Sequence, residues 1–343
     1  MQNRITEKTR LIDKTGNLAV KGYATEYLMQ YDRADIKARK FRIKEWDYYY
    51  VGNNDHAICL TAADMGYVGA LSASFLDFTA LREITKSSVI LFPMGALHMP
   101  PSPLAGDVVA VNKDVEFACI MDGGIRHIFG KYPGFGPNGE ELSYDFYLGE
   151  MPEENMYIAT PFDKPKHFYY NAKMNCMSAR GSFKLGDTVY RLDDALGTLD
   201  WGRGVWTFDN TWYWASLQTV LADGRKFGFN LGYGFGDTSA ATENMLFLDG
   251  KAIKLEDVRF NIPGDGTKDV RYTEPWTFTS SDGRLELDFE PLIDRYAPID
   301  LKVFCMIPHQ VFGYFSGDCI TDTGETIRLE RVLGFAEKVH NKW

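Results

Sequence analysis

At 343 residues the chain is long for a single hydrophobic core, so two domains or one large β-structure are expected. A formal charge of −10, from 37 basic and 47 acidic residues, argues against nucleic acid and anionic membranes as partners, since phosphate surfaces recruit clustered Lys and Arg. An aromatic fraction of 14% and 32 glycines favour β-sheet with tight turns, or a pocket lined by rings.

The N-terminal stretch MQNRITEKTRLIDKTG is polar and shows no apolar secretory segment. No apolar run approaches the ~18 residues needed to span a bilayer. Residues 33–44, RADIKARKFRIK, mix basic and acidic groups with alternating apolar positions and read as a solvated strand face. Residues 74–86 fit either one short helix or a strand meander. Residues 130–166 are rich in Pro, Gly and acidic groups and read as long surface connections or a lid. From about Met174 onward the chain becomes a regular series of hairpins. A division near residue 185 is expected, giving domains 1–185 and 186–343.

Turn chemistry supports an all-β fold. Asp-Gly occurs at Asp122, Asp223, Asp249, Asp265 and Asp282, and Asn-Gly at Asn138. These pairs tolerate the positive φ values of tight hairpins. In SSDGRLELDFEPL, Leu285, Leu287 and Phe289 share one face while Glu286, Asp288 and Glu290 share the other. Successive short antiparallel strands without helices indicate sandwiches or barrels. The five cysteines, Cys59, Cys119, Cys176, Cys305 and Cys319, are scattered without C-x-x-C spacing. They read as free thiols of a reducing compartment, and a cytoplasmic location is expected.

The segment DWGRGVWTFDNTWYW, residues 200–214, holds four of the seven tryptophans: Trp201, Trp206, Trp212 and Trp214. Asp200, Arg203 and Asp209 lie among them. Charges so close to large rings must be paired, solvated in a cleft, or used chemically. Asp200 and Arg203 stand three apart on a segment bent by Gly202 and Gly204, so their side chains are expected to meet. They would form either a structural ion pair or a proton donor beside an oxygen-orienting guanidinium.

DWGRGVW, together with RLIDKTGNLAVKGYA, FNLGYGFGD, TENMLFLDGK, EPWTF, FGYFSGD and GFAEKVHNKW, resembles a bacterial family known as domain of unknown function 2804. The resemblance runs from about residue 10 to residue 343. That family is similar, more remotely, to lipocalin-like proteins that include carotenoid 1,2-hydratases, tocopherol cyclase and fungal cyclases. The resemblance implies two consecutive lipocalin-like antiparallel β-barrel or β-sandwich domains with a ligand cavity in or between them. It carries no activity and no catalytic residue.

Standard cofactor motifs are missing. The histidines His56, His98, His127, His167, His309 and His340 show no HExxH spacing, so no metal site is expected. GYGFGD lacks the dinucleotide-binding register, and neither a P-loop nor a G-x-S-x-G elbow is present. The expected chemistry is therefore cofactor-independent acid–base catalysis of a hydratase, dehydratase, isomerase or cyclase type, on a small apolar or aromatic molecule. Asp200, Glu243 and His309 are the candidate proton carriers. Arg203 and Asn244 would position oxygen atoms, although loop-capping hydrogen bonds serve Glu243 and Asn244 equally well. Trp201, Trp206 and Trp214 would shape the pocket beside Asp209. Tyr213 and Tyr233 are phenolic donors or packing groups, and Trp276 reads as core. Glu337 points inward if it alternates with Phe335 and Val339. A lipocalin-like binder of a lipophilic ligand and a glycosidase with paired carboxylates are the alternatives.

Overall fold

The computed structural model describes residues 2–300 and 305–342. Two large antiparallel sheets form the molecule, accompanied by two one-turn 3-10 helices. In the first sheet the strands Arg82–Leu91, Val68–Asp77, His56–Asp64 and Ile43–Gly52 form a meander. Ile43–Gly52 then pairs with Leu196–Val205, which pairs with Phe168–Leu185. Leu142–Gly149, Ile125–Tyr132, Glu116–Asp122 and Val108–Val111 follow in order, and Met156–Pro161, Thr188–Arg191 and Gly22–Ala24 join the same sheet off this path. The second sheet runs Lys251–Lys254, Met245–Leu248, Lys226–Tyr233, Asp209–Val220, Thr326–Lys342, Cys305–Ile320, Leu285–Tyr296, Trp276–Ser280 and Val258–Asn261. The chain is thus all-β with two curled, lipocalin-like halves. Leu196–Val205 belongs to the first sheet and Asp209–Val220 opens the second, so the chain changes sheets at residues 206–208.

Each sheet curls around its own core. Tyr49, Phe75, Phe146, Phe183, Leu199 and Trp201 fill the first, and Phe229, Leu231, Trp276, Phe278, Phe289 and Phe315 the second. The opposite faces of the two sheets meet each other through Tyr48, Tyr50, Trp214, Phe312 and Phe335. This explains why every residue of Leu196–Val205 is buried: the strand has a core on one side and the other sheet on its back.

Several expectations from sequence take definite form. Residues 74–86 are strand, turn and strand, because Asp77 Oδ1 accepts the backbone N–H groups of Thr79 and Ala80 and reverses the chain. The basic stretch 33–44 is not a strand face. It forms the 3-10 turns Arg33–Asp35 and Lys40–Arg42, the first capped by Asp32, before a strand begins at Ile43. Residues 130–166 are not one long connection: they contain the whole of the strands Leu142–Gly149 and Met156–Pro161, and Gly130, Gly149 and Pro161 are themselves strand residues. Asp249 and Gly250 adopt φ of 48° and 82° and close a two-residue hairpin. Asp265-Gly266, by contrast, lies in the long connection after Val258–Asn261, with Asp265 paired to Lys338. No helix is long and apolar enough to cross a membrane among the described residues.

Candidate functional site between the sheets

Strand parity decides which residues of the Trp-rich segment act together. Successive side chains alternate faces, so residues three apart on one strand point oppositely. Leu196–Val205 is continuous strand, and Asp200 and Arg203 therefore do not meet. Arg203 faces the first core, where it donates to Asp47 at 3.0 Å and to the carbonyls of Trp46 and Pro100, and lies over the Trp201 ring at 4.0 Å. Asp200 faces the second sheet. The meeting expected from sequence fails because Gly202 and Gly204 do not bend the strand; they make room on its back. A Cβ at Gly202 would stand 1.9 Å from the Trp46 indole.

On that back face Asp200 finds Lys173 at 2.9 Å, and Asn171 Nδ2 donates to its Oδ1 at 2.5 Å. Lys173 lies 3.7 Å above the centroid of the Trp214 ring, which belongs to the second sheet. The cation is thus shared between a carboxylate of its own sheet and a ring of the other. Trp214 Nε1 donates to Asn230 Oδ1 at 2.6 Å, and Asn230 Nδ2 donates to the Glu243 carbonyl at 2.7 Å. This chain of bonds sets Glu243 beside the Lys173–Asp200 pair. The N-terminal residues hold the same segment from outside. Gln2 Oε1 accepts from Thr242 N at 2.7 Å, Gln2 Nε2 donates to Leu255 O at 2.8 Å, and Asn3 N donates to Ala240 O at 2.7 Å.

Glu337 extends the cluster from the C-terminal strand. Its carboxylate accepts Trp212 Nε1 and Gln310 Nε2, both at 2.9 Å, and Tyr48 OH of the first sheet reaches Gln310 Oε1 at 3.2 Å. Its inward placement follows the alternation with Phe335 and Val339. A bulge between Met174 and Met177 turns two consecutive residues toward the second sheet. There Asn175 Nδ2 donates to Ser216 Oγ at 2.7 Å, and the Cys176 N–H donates to Gln218 Oε1 at 2.9 Å, with Cys176 at a φ of 64°. The Oδ1 atoms of Asn171 and Asn175 are buried without a hydrogen-bond partner among the described residues.

Burial sets the acidity of these groups. Desolvation raises Glu243 to about 7; the nearby positive charges of Lys173 and Lys254 oppose the rise, and Asp200 adds to it. Glu337 is also raised by burial, against the Trp212 hydrogen bond and the charges of Arg295 and Lys173. Tyr169 is raised well above the usual phenol range by burial, reinforced by the negative charges of Glu243, Asp200 and Glu337. The charges of three carboxylates therefore act on one tyrosine. Rings of Trp46, Trp206, Trp212 and Phe235 surround it, with Trp46 stacked on Tyr169 at 5.9 Å. The Asp200 side chain keeps 10% of its surface, so the cluster is not sealed from water.

The remaining candidates lie elsewhere. Asn244 is committed to backbone: its Oδ1 accepts Gly232 N and its Nδ2 donates to Glu256 O. His309 sits on the face of its strand opposite Gln310, between the rings of Tyr272 and Tyr296, with Nδ1 at 2.7 Å from Asp294. Odd strand spacing again separates it from the cluster. Tyr233 stacks on Tyr213 on the second sheet's inner face, Trp276 is core, and Trp201 is core of the first sheet. Asp209 is exposed and pairs with His340 and Lys342. Lys173, Asn171, Tyr169, Gln310 and Trp46 were not singled out by sequence. The readable signal was the polar alternation Asn171, Lys173, Asn175 inside the otherwise apolar FYYNAKMNCM.

The fold, two lipocalin-like β-halves, has counterparts among solved structures. The chain belongs to the family described as domain of unknown function (DUF2804), whose model matches residues 2–343. Comparison with curated proteins gave no match. A protein of Nitrosomonas europaea, provisionally described as AttH, is similar in structure with a TM-score of 0.50 at 11% identity, over 88% of this chain and 93% of its own. Kievitone hydratase from Nectria haematococca gives 0.47 at 9% identity, over 88% of each chain. CghA gives 0.41 at 12% identity, over 100% of this chain and 97% of its own. At these identities the likeness concerns the fold.

Proposed function

We propose that the cluster between the sheets is a cofactor-independent acid–base centre, acting on a small apolar or aromatic molecule in hydration, dehydration, isomerisation or cyclisation. The observation that carries this reading is the convergence of Asp200, Glu243 and Glu337 with Lys173 beneath aromatic rings drawn from both sheets. Catalysis of this kind needs one carboxyl group able to hold or release a proton near neutral pH and a second polar group to orient the water or substrate. Glu243 fits the first role, because burial brings it to about 7. Asp200, fixed in place by Lys173 and Asn171, fits the second.

In the hydration direction, Glu243 would give its proton to a substrate double bond. Water would add to the resulting cation, and a carboxylate would take the proton released from that water. Ring faces of Trp46 and Trp212 would shield the cationic centre. The Trp214 face is already occupied by Lys173, so its part is to hold the lysine.

The test is a thermal-shift panel of phenolics, terpenoids, fatty acids and sugars, since a ligand that binds the folded state raises its apparent stability. Hits are then incubated and followed by mass spectrometry for gain or loss of 18 mass units or for isomer formation. Turnover that falls at least ~100-fold in both Glu243→Gln and Asp200→Asn is the expected result. Binding without turnover would make the protein a lipocalin-like binder, and unchanged turnover in both variants would remove the proposed centre.

A further inference from the structure

The first sheet's inner face holds a charged group that neither its own core nor the cluster on its back explains. Glu45 pairs with Arg33 and Asp47 pairs with Arg203 at 3.0 Å, so each of these acids has a cation of its own. Arg126, 2% exposed, is left without a carboxylate within ion-pair distance among the described residues. Its guanidinium donates to the Pro103 carbonyl and otherwise meets only the sulfurs of Met174 and Met177 at 3.8 Å. Thioethers are weak acceptors, and a buried arginine stays charged. The charge of Arg126 reaches Asp47, which lines the same small space, but no carboxylate touches its guanidinium among the described residues, and an anion in direct contact would reduce its desolvation cost.

A second observation points to the same place. Trp201 Nε1 is buried with no hydrogen-bond partner among the described residues. Trp201 and Arg126 line one small, partly open space of about 10 Å³, together with Asp47, Tyr49, Pro100 and Pro103. That volume accommodates about one water molecule. Its roof is the strand-free connection of residues 92–107. Pro100 and Pro103 are buried in that roof, as are Pro93 and Met99, and the carbonyls of Pro100 and Pro103 are the acceptors used by Arg203 and Arg126. The roof is fixed near its ends, where Gly95 N donates to Asp64 at 2.7 Å and Met121 N donates to Asp107 at 2.9 Å. Between those points residues 101 and 104–106 face solvent.

We propose that the interior of the first sheet is a binding site for a monocarboxylate, whose anionic group takes the Arg126 guanidinium and the Trp201 indole N–H. The Pro103 carbonyl stands where a ligand oxygen would lie, and the roof at residues 101–106 shifts outward to admit it. A carboxylate matches the fork of a guanidinium with two parallel hydrogen bonds, and a single negative charge neutralises the one cation left over.

The experiment uses the full chain with acetate, hexanoate and benzoate, each compared with chloride at equal ionic strength. The expected result is a rise in Tm of a few degrees with at least one carboxylate, and movement of the Trp201 indole N–H resonance, assigned through Trp201→Phe. Arg126→Met, which places a thioether beside Met174 and Met177, is expected to abolish the carboxylate-dependent rise. If that variant does not fold, the Trp201 resonance decides the matter on the unmodified chain. The proposal is overturned if no carboxylate moves that resonance beyond chloride, or if Arg126→Met keeps the full rise.

Discussion

Lys173 of the first sheet lies over the Trp214 ring of the second, 3.7 Å from its centroid, while its ammonium stands 2.9 Å from Asp200. One side chain thus ties a carboxylate of one half to an aromatic ring of the other. Lys173 is 2% exposed, so removing either of its partners leaves charge in a poorly hydrated place.

Lys173→Met is expected to destabilise the protein by about 3–5 kcal/mol, because Asp200 would remain buried without its cation. Lys173→Met combined with Asp200→Asn should recover part of that loss. Urea unfolding midpoints check this, and a double variant as unstable as the sum of the two single ones would show that the pair is not coupled.

Glu243 makes stability fall as pH rises. Its folded value, about 7, lies above the ordinary 4.5, so the folded state binds more protons than the unfolded state between those pH values. The penalty is absent below about pH 4 and complete above about pH 7, where it is on the order of 3 kcal/mol. Lys254, lowered to about 7 by burial, titrates with the opposite sense above that pH, stability rising toward 10.5. The difference between the unmodified chain and Glu243→Gln isolates the carboxyl group. The variant's relative stability should increase from pH 4.5 to 7, and a flat difference would contradict the raised value.

Gly202→Ala should cost about 1–3 kcal/mol or more, since its Cβ would meet the Trp46 indole at 1.9 Å. Pairing it with Trp46→Leu should restore stability, because the smaller side chain vacates the back of the strand. Thermal unfolding of the single and double variants measures both effects.

All five thiols are buried, and burial raises Cys119 to about 11 and both Cys176 and Cys319 to about 12. A thiol-reactive dye at pH 8 is therefore expected to label the folded protein very slowly and to label five sites after denaturation. Rapid labelling of the folded protein would mean that one of these strands opens readily.

The fold was legible where local chemistry and long-range packing agree. SSDGRLELDFEPL alternates cleanly, and Trp276–Ser280 pairs with Leu285–Tyr296 around its turn as expected. Asp200 of the Trp-rich segment lies near enough to Glu243 for its charge to act on it. What sequence left open was which face each side chain takes, because Leu196–Val205 is buried on both sides and has no apolar–polar rhythm to orient it. Asp200 and Arg203 were paired on proximity in sequence, whereas a strand separates odd spacings. Lys173 escaped notice because a lysine inside an apolar strand is intelligible only once a ring from another sheet covers it. The basic stretch 33–44 misled for a different reason: Asp32 capping outweighed a weak alternation.

The contacts of Gln2 and Asn3 with residues 240–255 bear on how the protein is handled. The segment that carries Glu243 is secured by the first residues of the chain, 240 positions away in sequence from Thr242. Gln2→Ala would remove its side-chain hydrogen bonds to Thr242 and Leu255 and so loosen the segment that carries the acid. An affinity handle on this protein belongs on a surface hairpin, such as the Gly123-Gly124 turn, where a Cβ at either glycine meets nothing within 4 Å.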